Sequence, residues 1–133
     1  MEKDHRGDQI NQKVDIIKVG NDFINYFYNN WLNDPSALVN TVIKNHTRLK
    51  FSNCVYQGED LLKFLILTKE KGISFQIANV EIMDSGARRA DILVTGKVRE
   101  SHNTNELLNY CQYFTIANIK DGWFIHNSLL SIF

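Results

Sequence analysis

Gly72 divides the chain into two kinds of sequence. Before it, apolar residues recur mostly at helical spacing. After it, everything reads as strand. Ile73 to Met83, Arg88 to Glu100, Leu107 to Ile119 and Trp123 to Ile132 form four long strand-like segments. Asp84-Ser85-Gly86 and Lys120-Asp121-Gly122 supply turns, and Ser101 to Asn105 a polar loop. Strands of about ten residues or more must twist and bend rather than lie flat. A chain whose helices precede its meander folds as α+β, with the helices on one face of an antiparallel sheet.

The half before Gly72 supplies those helices. Val14, Ile17, Phe23, Ile24, Phe27, Tyr28 and Trp31 recur near 3.6 residues, with polar residues mostly between them. Asn33-Asp34-Pro35 ends this helix. Asp34 is placed to cap, and Pro35 to open, a second short helix through Leu38 and Val42. Thr47 to Cys54 alternates as a strand, Ser52-Asn53 turns, and Val55-Tyr56-Gln57 returns. From Gly58 a third helix begins. Glu59 and Asp60 suit its positive end, and Lys69-Glu70-Lys71-Gly72 its stop. Its Leu and Phe residues lie nearly all round, which predicts deep burial.

The 133 residues suffice for one domain with one core, taken as residues 13–133 behind a loose polar tail, 1–12. That tail has the pattern of neither a secretory signal nor an Arg-rich transit peptide. Formal net charge is zero, which argues against binding nucleic acid by bulk charge. No apolar run is long enough for a membrane span. Cys54 and Cys111 make no disulfide framework. Phosphate-loop, C-x-x-C, H-E-x-x-H and G-x-S-x-G motifs are absent. His5, His46, His102 and His126 are scattered, without metal-ligand spacing, so neither metal nor cofactor is expected. Asp91, amid Ile92, Leu93 and Val94, admits two readings: a buried acid with raised pKa, or an ion pair with Arg88 or Arg89.

The strands after Gly72 carry large apolar groups in both registers, whereas a sheet with one solvated face alternates more cleanly. Two explanations are open: bulges that switch faces, or a second apolar face that meets another protein. On the second, the partner-binding face comprises Phe75, Ile77, Gln112, Phe114, Ile125 and Asn127. Tyr28, Trp31, Phe51, Phe64 and Trp123 then fill the interior.

With this element order in place, three segments carry a resemblance. VGNDFINYFYNNWLNDP, LKFSNCVYQGEDLL and QYFTIANIKDGWFIHNSLLSIF resemble, in order and spacing, the nuclear transport factor 2-like family. The resemblance runs from about Val14 to the C-terminus. It implies a cone: three N-terminal helices packed on a strongly bent antiparallel sheet of one short hairpin and a four-strand meander, with the third helix closing the wide end.

The resemblance implies three functional readings. One is a transport adaptor resembling the small subunit of the general mRNA export receptor. It would pair through its sheet face with a related domain of a large chain, and the pair would bind Phe-Gly nucleoporins. ISFQIANVEIMDS resembles that subfamily. The second is a homodimeric importer of the GDP-bound GTPase Ran. Here Ser52 follows Phe51 where that activity places an acid, and the loop Arg99-Glu100-Ser101-His102-Asn103 is poorer in acids than expected. Glu59, Glu100 and Glu106 are the available substitutes. The third is a small-molecule isomerase or dehydratase, for which no acid pair or His–Asp pair is evident. The adaptor reading places the protein in nucleus, nuclear pore and cytoplasm, non-enzymatic and without direct nucleic-acid or membrane contact.

Overall fold

The computed structural model describes residues 2–119 and 122–133, with side chains from Ile16 onward. The element order is α1 (Glu2–Asn33), α2 (Ser36–Val39), β1 (Arg48–Phe51), β2 (Cys54–Gln57), α3 (Glu59–Lys71), β3 (Ser74–Gly86), β4 (Arg89–Arg99), β5 (Leu108–Ile119) and β6 (Gly122–Ile132). Helix α1 begins at Glu2, so its backbone runs through residues 2–12, which the sequence suggested as a loose tail; the side chains of that segment lie outside the described residues.

The chemistry of each boundary is visible. Lys69 Nζ donates to the Asn33 carbonyl at 2.8 Å, satisfying one of the free acceptors at the end of α1. Helix α2 is a single turn, shorter than its sequence suggests. Pro35 is its N-cap and no side chain caps it, so Asp34 serves through its backbone carbonyl, 3.1 Å from the Ala37 N–H. Gly72 ends α3 with φ of 94°, and the following amides return to the Lys69 and Thr68 carbonyls. The turn after β3 lies later than Asp84-Ser85-Gly86. Ala87 and Arg88 take φ of 49° and 60°, as a two-residue hairpin requires.

The sheet runs β2-β1-β6-β5-β4-β3. All neighbours are antiparallel except β1 and β6, which pair in parallel. The sheet is therefore mixed, not purely antiparallel as the sequence suggested. Three irregularities reset its alternation: Ala78 and Ser85 in β3 and His126 in β6 have no opposite residue.

Helix α1 crosses the inner face. Phe23, Ile24, Phe27, Tyr28 and Trp31 are all buried there. Gly20 permits the close approach: a Cβ at this position would lie 2.6 Å from Ile82 Cδ1. From the sheet come Ala90, Ile92, Val94 and Val98 of β4 and Tyr110, Phe114 and Ile116 of β5. Helix α3 buries Leu61, Phe64 and Leu65, while Leu67 is 51% exposed, so one face is sunk rather than the whole helix. The Trp31 indole joins α1 to α3 through a 2.9 Å hydrogen bond to Thr68 Oγ1. Helix α3 thus closes the mouth between the hairpin β1–β2 and α1.

Candidate functional site: the outer face of the sheet

The inner face of the sheet holds a cluster of aromatic rings. Trp31 lies with ring centroids 5.0 Å from Phe75, 6.1 Å from Tyr28 and 6.2 Å from Phe64. Phe51 and Tyr56 pack on Phe64 from the hairpin. Of the expected interior residues, Tyr28, Trp31 and Phe64 are buried and Phe51 half-buried around this cluster. Trp123 also packs on the core, but at the far end of β6 from the Phe51–Leu130 pair. One polar chain crosses the interior. Tyr28 OH donates to Gln112 Oε1 at 2.6 Å, and Gln112 Nε2 donates to Ser128 Oγ at 3.0 Å. Burial raises the Tyr28 phenol well above its ordinary pKa, helped by the neighbouring Tyr110 hydroxyl, so it stays protonated as the donor.

The expected partner-binding residues fall mostly on this inner side. Gln112 and Phe114 are fully buried, and Ile125 is 1% exposed. Phe75 packs on Tyr28 and Tyr110. Ile77 is 41% exposed, yet it pairs with Gly96 in the inner register. Only Asn127 of the six points outward, because the His126 bulge reverses the alternation after Ile125. The predicted face was therefore one register off. A shift by a single residue exchanges the two sides of a strand.

The true outer face follows from the pairing. One row across the sheet reads Glu81, Leu93, Tyr113, Leu129, Lys50, Val55. The next reads Met83, Asp91, Thr115, Asn127, Arg48, Gln57. A third reads Asn79, Thr95, Cys111, Ser131. Among the described residues, no helix covers these rows. Tyr113 is 39% and Leu129 45% exposed, and half-buried Leu93 continues the strip. Leu93, Tyr113 and Leu129 thus form a continuous apolar strip on this open face.

Asp91 organises this face. Ser85 Oγ donates to one carboxylate oxygen; the Tyr113 hydroxyl, at 2.6 Å, and Thr115 Oγ1, at 3.1 Å, donate to the other. These donors, Ser85 first and Tyr113 next, hold the carboxyl below its ordinary pKa. Asp91 is thus neither the acid of raised pKa nor primarily an arginine partner. It anchors Tyr113. The same bond raises the Tyr113 phenol, since the carboxylate favours the neutral donor.

Elsewhere, a cleft of about 480 Å³ lies between α2 and α3, lined by Val39, Ile43, His46, Glu59 and Leu62 among others. His46 and His126 face one another with ring centroids 5.9 Å apart. Among the described residues, no group of three His, Cys, Asp or Glu side chains could hold a metal ion, and no helix is long and apolar enough to cross a membrane. His102 packs over Gly72, where an added Cβ would lie 2.3 Å from its ring. Ser52, Glu59, Glu100 and Glu106 are all exposed. His5 lies outside the described side chains.

The fold has known counterparts. No curated protein matches the chain. The structure of nuclear transport factor 2 from Cryptosporidium parvum superposes with a TM-score of 0.76 at 20% identity, covering 89% of this chain and 94% of that one. The yeast complex of deubiquitinase Ubp3 and its cofactor Bre5 gives 0.74 at 17% identity, covering 89% and 96%. A scytalone dehydratase candidate from Novosphingobium aromaticivorans gives 0.72 at 15%, covering 96% and 88%. These likenesses establish the fold, which hosts transport proteins, a cofactor and enzyme candidates alike. Residues 19–132 match the model of the Nuclear transport factor 2 (NTF2) domain, and the chain therefore belongs to the NTF2 domain family.

Proposed function

We propose that this domain is a non-enzymatic adaptor of nucleocytoplasmic transport that works by pairing its outer sheet face with a second domain of the same fold. The observation that carries this is the uncovered row Leu93, Tyr113, Leu129, held in place by the Asp91 anchor. The interior is consistent with the same reading, because Trp31, Phe75, Tyr110 and Phe114 pack together in the core. The sequence resemblance supplies the transport setting. Under it, the second domain belongs to a large mRNA export receptor or to another copy of the chain, and the pair engages Phe-Gly repeats of nucleoporins at the pore. GDP-bound Ran is the cargo of the import form, with exposed Glu59, Glu100 and Glu106 as the acids on offer.

Affinity capture from native extract tests this, with wild type compared against Leu129→Asp. Wild type is expected to retain Phe-Gly nucleoporins together with an export-receptor chain or GDP-bound Ran, and Leu129→Asp to lose them while keeping its melting temperature. Identical capture by both proteins would remove the outer face from the mechanism. Turnover of a small carbonyl or hydroxyl substrate by the isolated protein would overturn the adaptor reading altogether.

A further inference from the structure

We infer that His46 and His126 form a binding site for a divalent transition-metal ion of the zinc or nickel type, and that the ion clamps the loop before β1 onto β6. Sequence spacing hides this pair, since His46 precedes β1 and His126 lies in the last strand. The fold sets their ring centroids 5.9 Å apart, with the planes tilted by 50°. A metal–nitrogen bond of about 2.0–2.1 Å places two imidazoles on one tetrahedral ion with centroids about 5 Å apart. The pair thus stands roughly 1 Å wider than that spacing. His46 is exposed and closes the difference by turning about its side-chain bonds. Paired imidazoles select zinc, nickel and copper over magnesium and calcium, which prefer oxygen ligands.

The backbone beneath both rings is fixed. Ile125 is pinned twice to the loop between α2 and β1. Its N–H donates to the Val42 carbonyl at 2.8 Å, and its carbonyl accepts from the Thr47 hydroxyl. That hydroxyl also accepts from the Lys44 N–H at 2.9 Å, while the Thr47 N–H returns to the Lys44 carbonyl at 3.0 Å. Thr47 is buried, so water does not compete for these bonds. His46 directly precedes Thr47, and His126 directly follows Ile125. The Phe124 ring stands nearly perpendicular to that of His46, with centroids 5.0 Å apart, and limits its orientation. His126 is the bulged residue of β6, and a bulge re-aims a side chain out of the strand's alternation. Among the described residues no third His, Cys, Asp or Glu joins the pair, so water completes the coordination. The clamp closes a long chain loop at the start of the parallel seam, where Arg48 meets Asn127. It favours the folded state alone, because the unfolded chain does not bring the two rings together.

The test titrates Zn²⁺ and Ni²⁺ separately into the untagged full chain carrying Cys54→Ser and Cys111→Ser, which removes the thiols as competing ligands. One ion per chain is expected to bind. His46→Ala and His126→Ala should each weaken binding by about tenfold or more, and His5→Ala and His102→Ala should leave it unchanged. His126 is half-buried, so His126→Gln serves beside His126→Ala to keep the strand packed. X-ray absorption at the zinc edge should show two imidazole nitrogens at about 2.0–2.1 Å. Zinc should also slow amide hydrogen exchange across Arg48–Phe51 in the parent chain and not in either His126 variant. No saturable binding below about 1 mM ion overturns the inference. Binding that survives loss of either His46 or His126, or that follows His5, is an adventitious ion only and overturns it as well. Binding by the pair with unchanged exchange overturns the clamp.

Discussion

Trp31 is where one side chain carries most of the architecture. It is fully buried, ringed by Phe27, Tyr28, Phe64 and Phe75, and hydrogen-bonded to Thr68. Trp31→Ala should cost about 3–5 kcal/mol, read as a lower denaturant midpoint. Phe114 and Leu129 make an instructive pair. Phe114→Asp places a charge in the sealed interior and should abolish folding, while Leu129→Asp alters an exposed position and should leave melting unchanged. Asp91 gives a pH dependence. Its hydroxyl donors lower its pKa in the folded state, so the stability it contributes is complete above its ordinary value of 3.8. That contribution is lost as pH falls from there through the lowered folded value. Asp91→Asn should therefore narrow its stability gap to wild type on acidification below about pH 4 in parallel melts. Gln112, which the sequence put on the wrong face, is needed by both Tyr28 and Ser128. Gln112→Leu should cost about 1–3 kcal/mol for the buried hydroxyls left unpaired.

At the scale of elements, the sequence was legible where chemistry is local. The helix stop at Gly72, the Ser52-Asn53 turn and the four long strands all lie close to where propensity and turn residues put them. What it did not show was which side of each strand is inside. Ala78 and His126 look like ordinary members of alternating runs, and nothing in their chemistry announces an unpaired residue. Gly96 offers the one clue. It lies opposite Ile77 beside the Ala78 bulge, and a Cβ there would sit 2.0 Å from the Gln76 carbonyl oxygen. Because that obstacle is backbone, Gly96→Ala should destabilise by about 1–3 kcal/mol or more, measured by chemical unfolding. Gly in the middle of a β-rich strand was thus a signal that could have located the bulge.

For the whole molecule, the family and the segregation of helices from meander were readable, because three segments in fixed order carry more information than any one of them. The parallel seam between β1 and β6 was not. Its partners, such as Arg48 and Asn127, stand roughly eighty residues apart, and no local pattern connects them. The same distance explains the outer face. The outer rows draw on strands from both halves of the chain, so the apolar strip and its terminal charges exist only in the closed sheet.

That seam also sets the order of birth. On a ribosome, helices α1 to α3 and the hairpin emerge first, yet β1 has no neighbour but β2 until β6 leaves the exit tunnel. The nascent chain must keep Leu49 and Phe51 from straying during nearly all of its synthesis, since both wait for Ser128 and Leu130 to arrive. A premature stop between β5 and β6 would release a chain with an open seam, a bare edge on β5 and an unfinished outer face. Cells would meet such a product as a client for chaperones and proteases rather than as a weakened form of the protein.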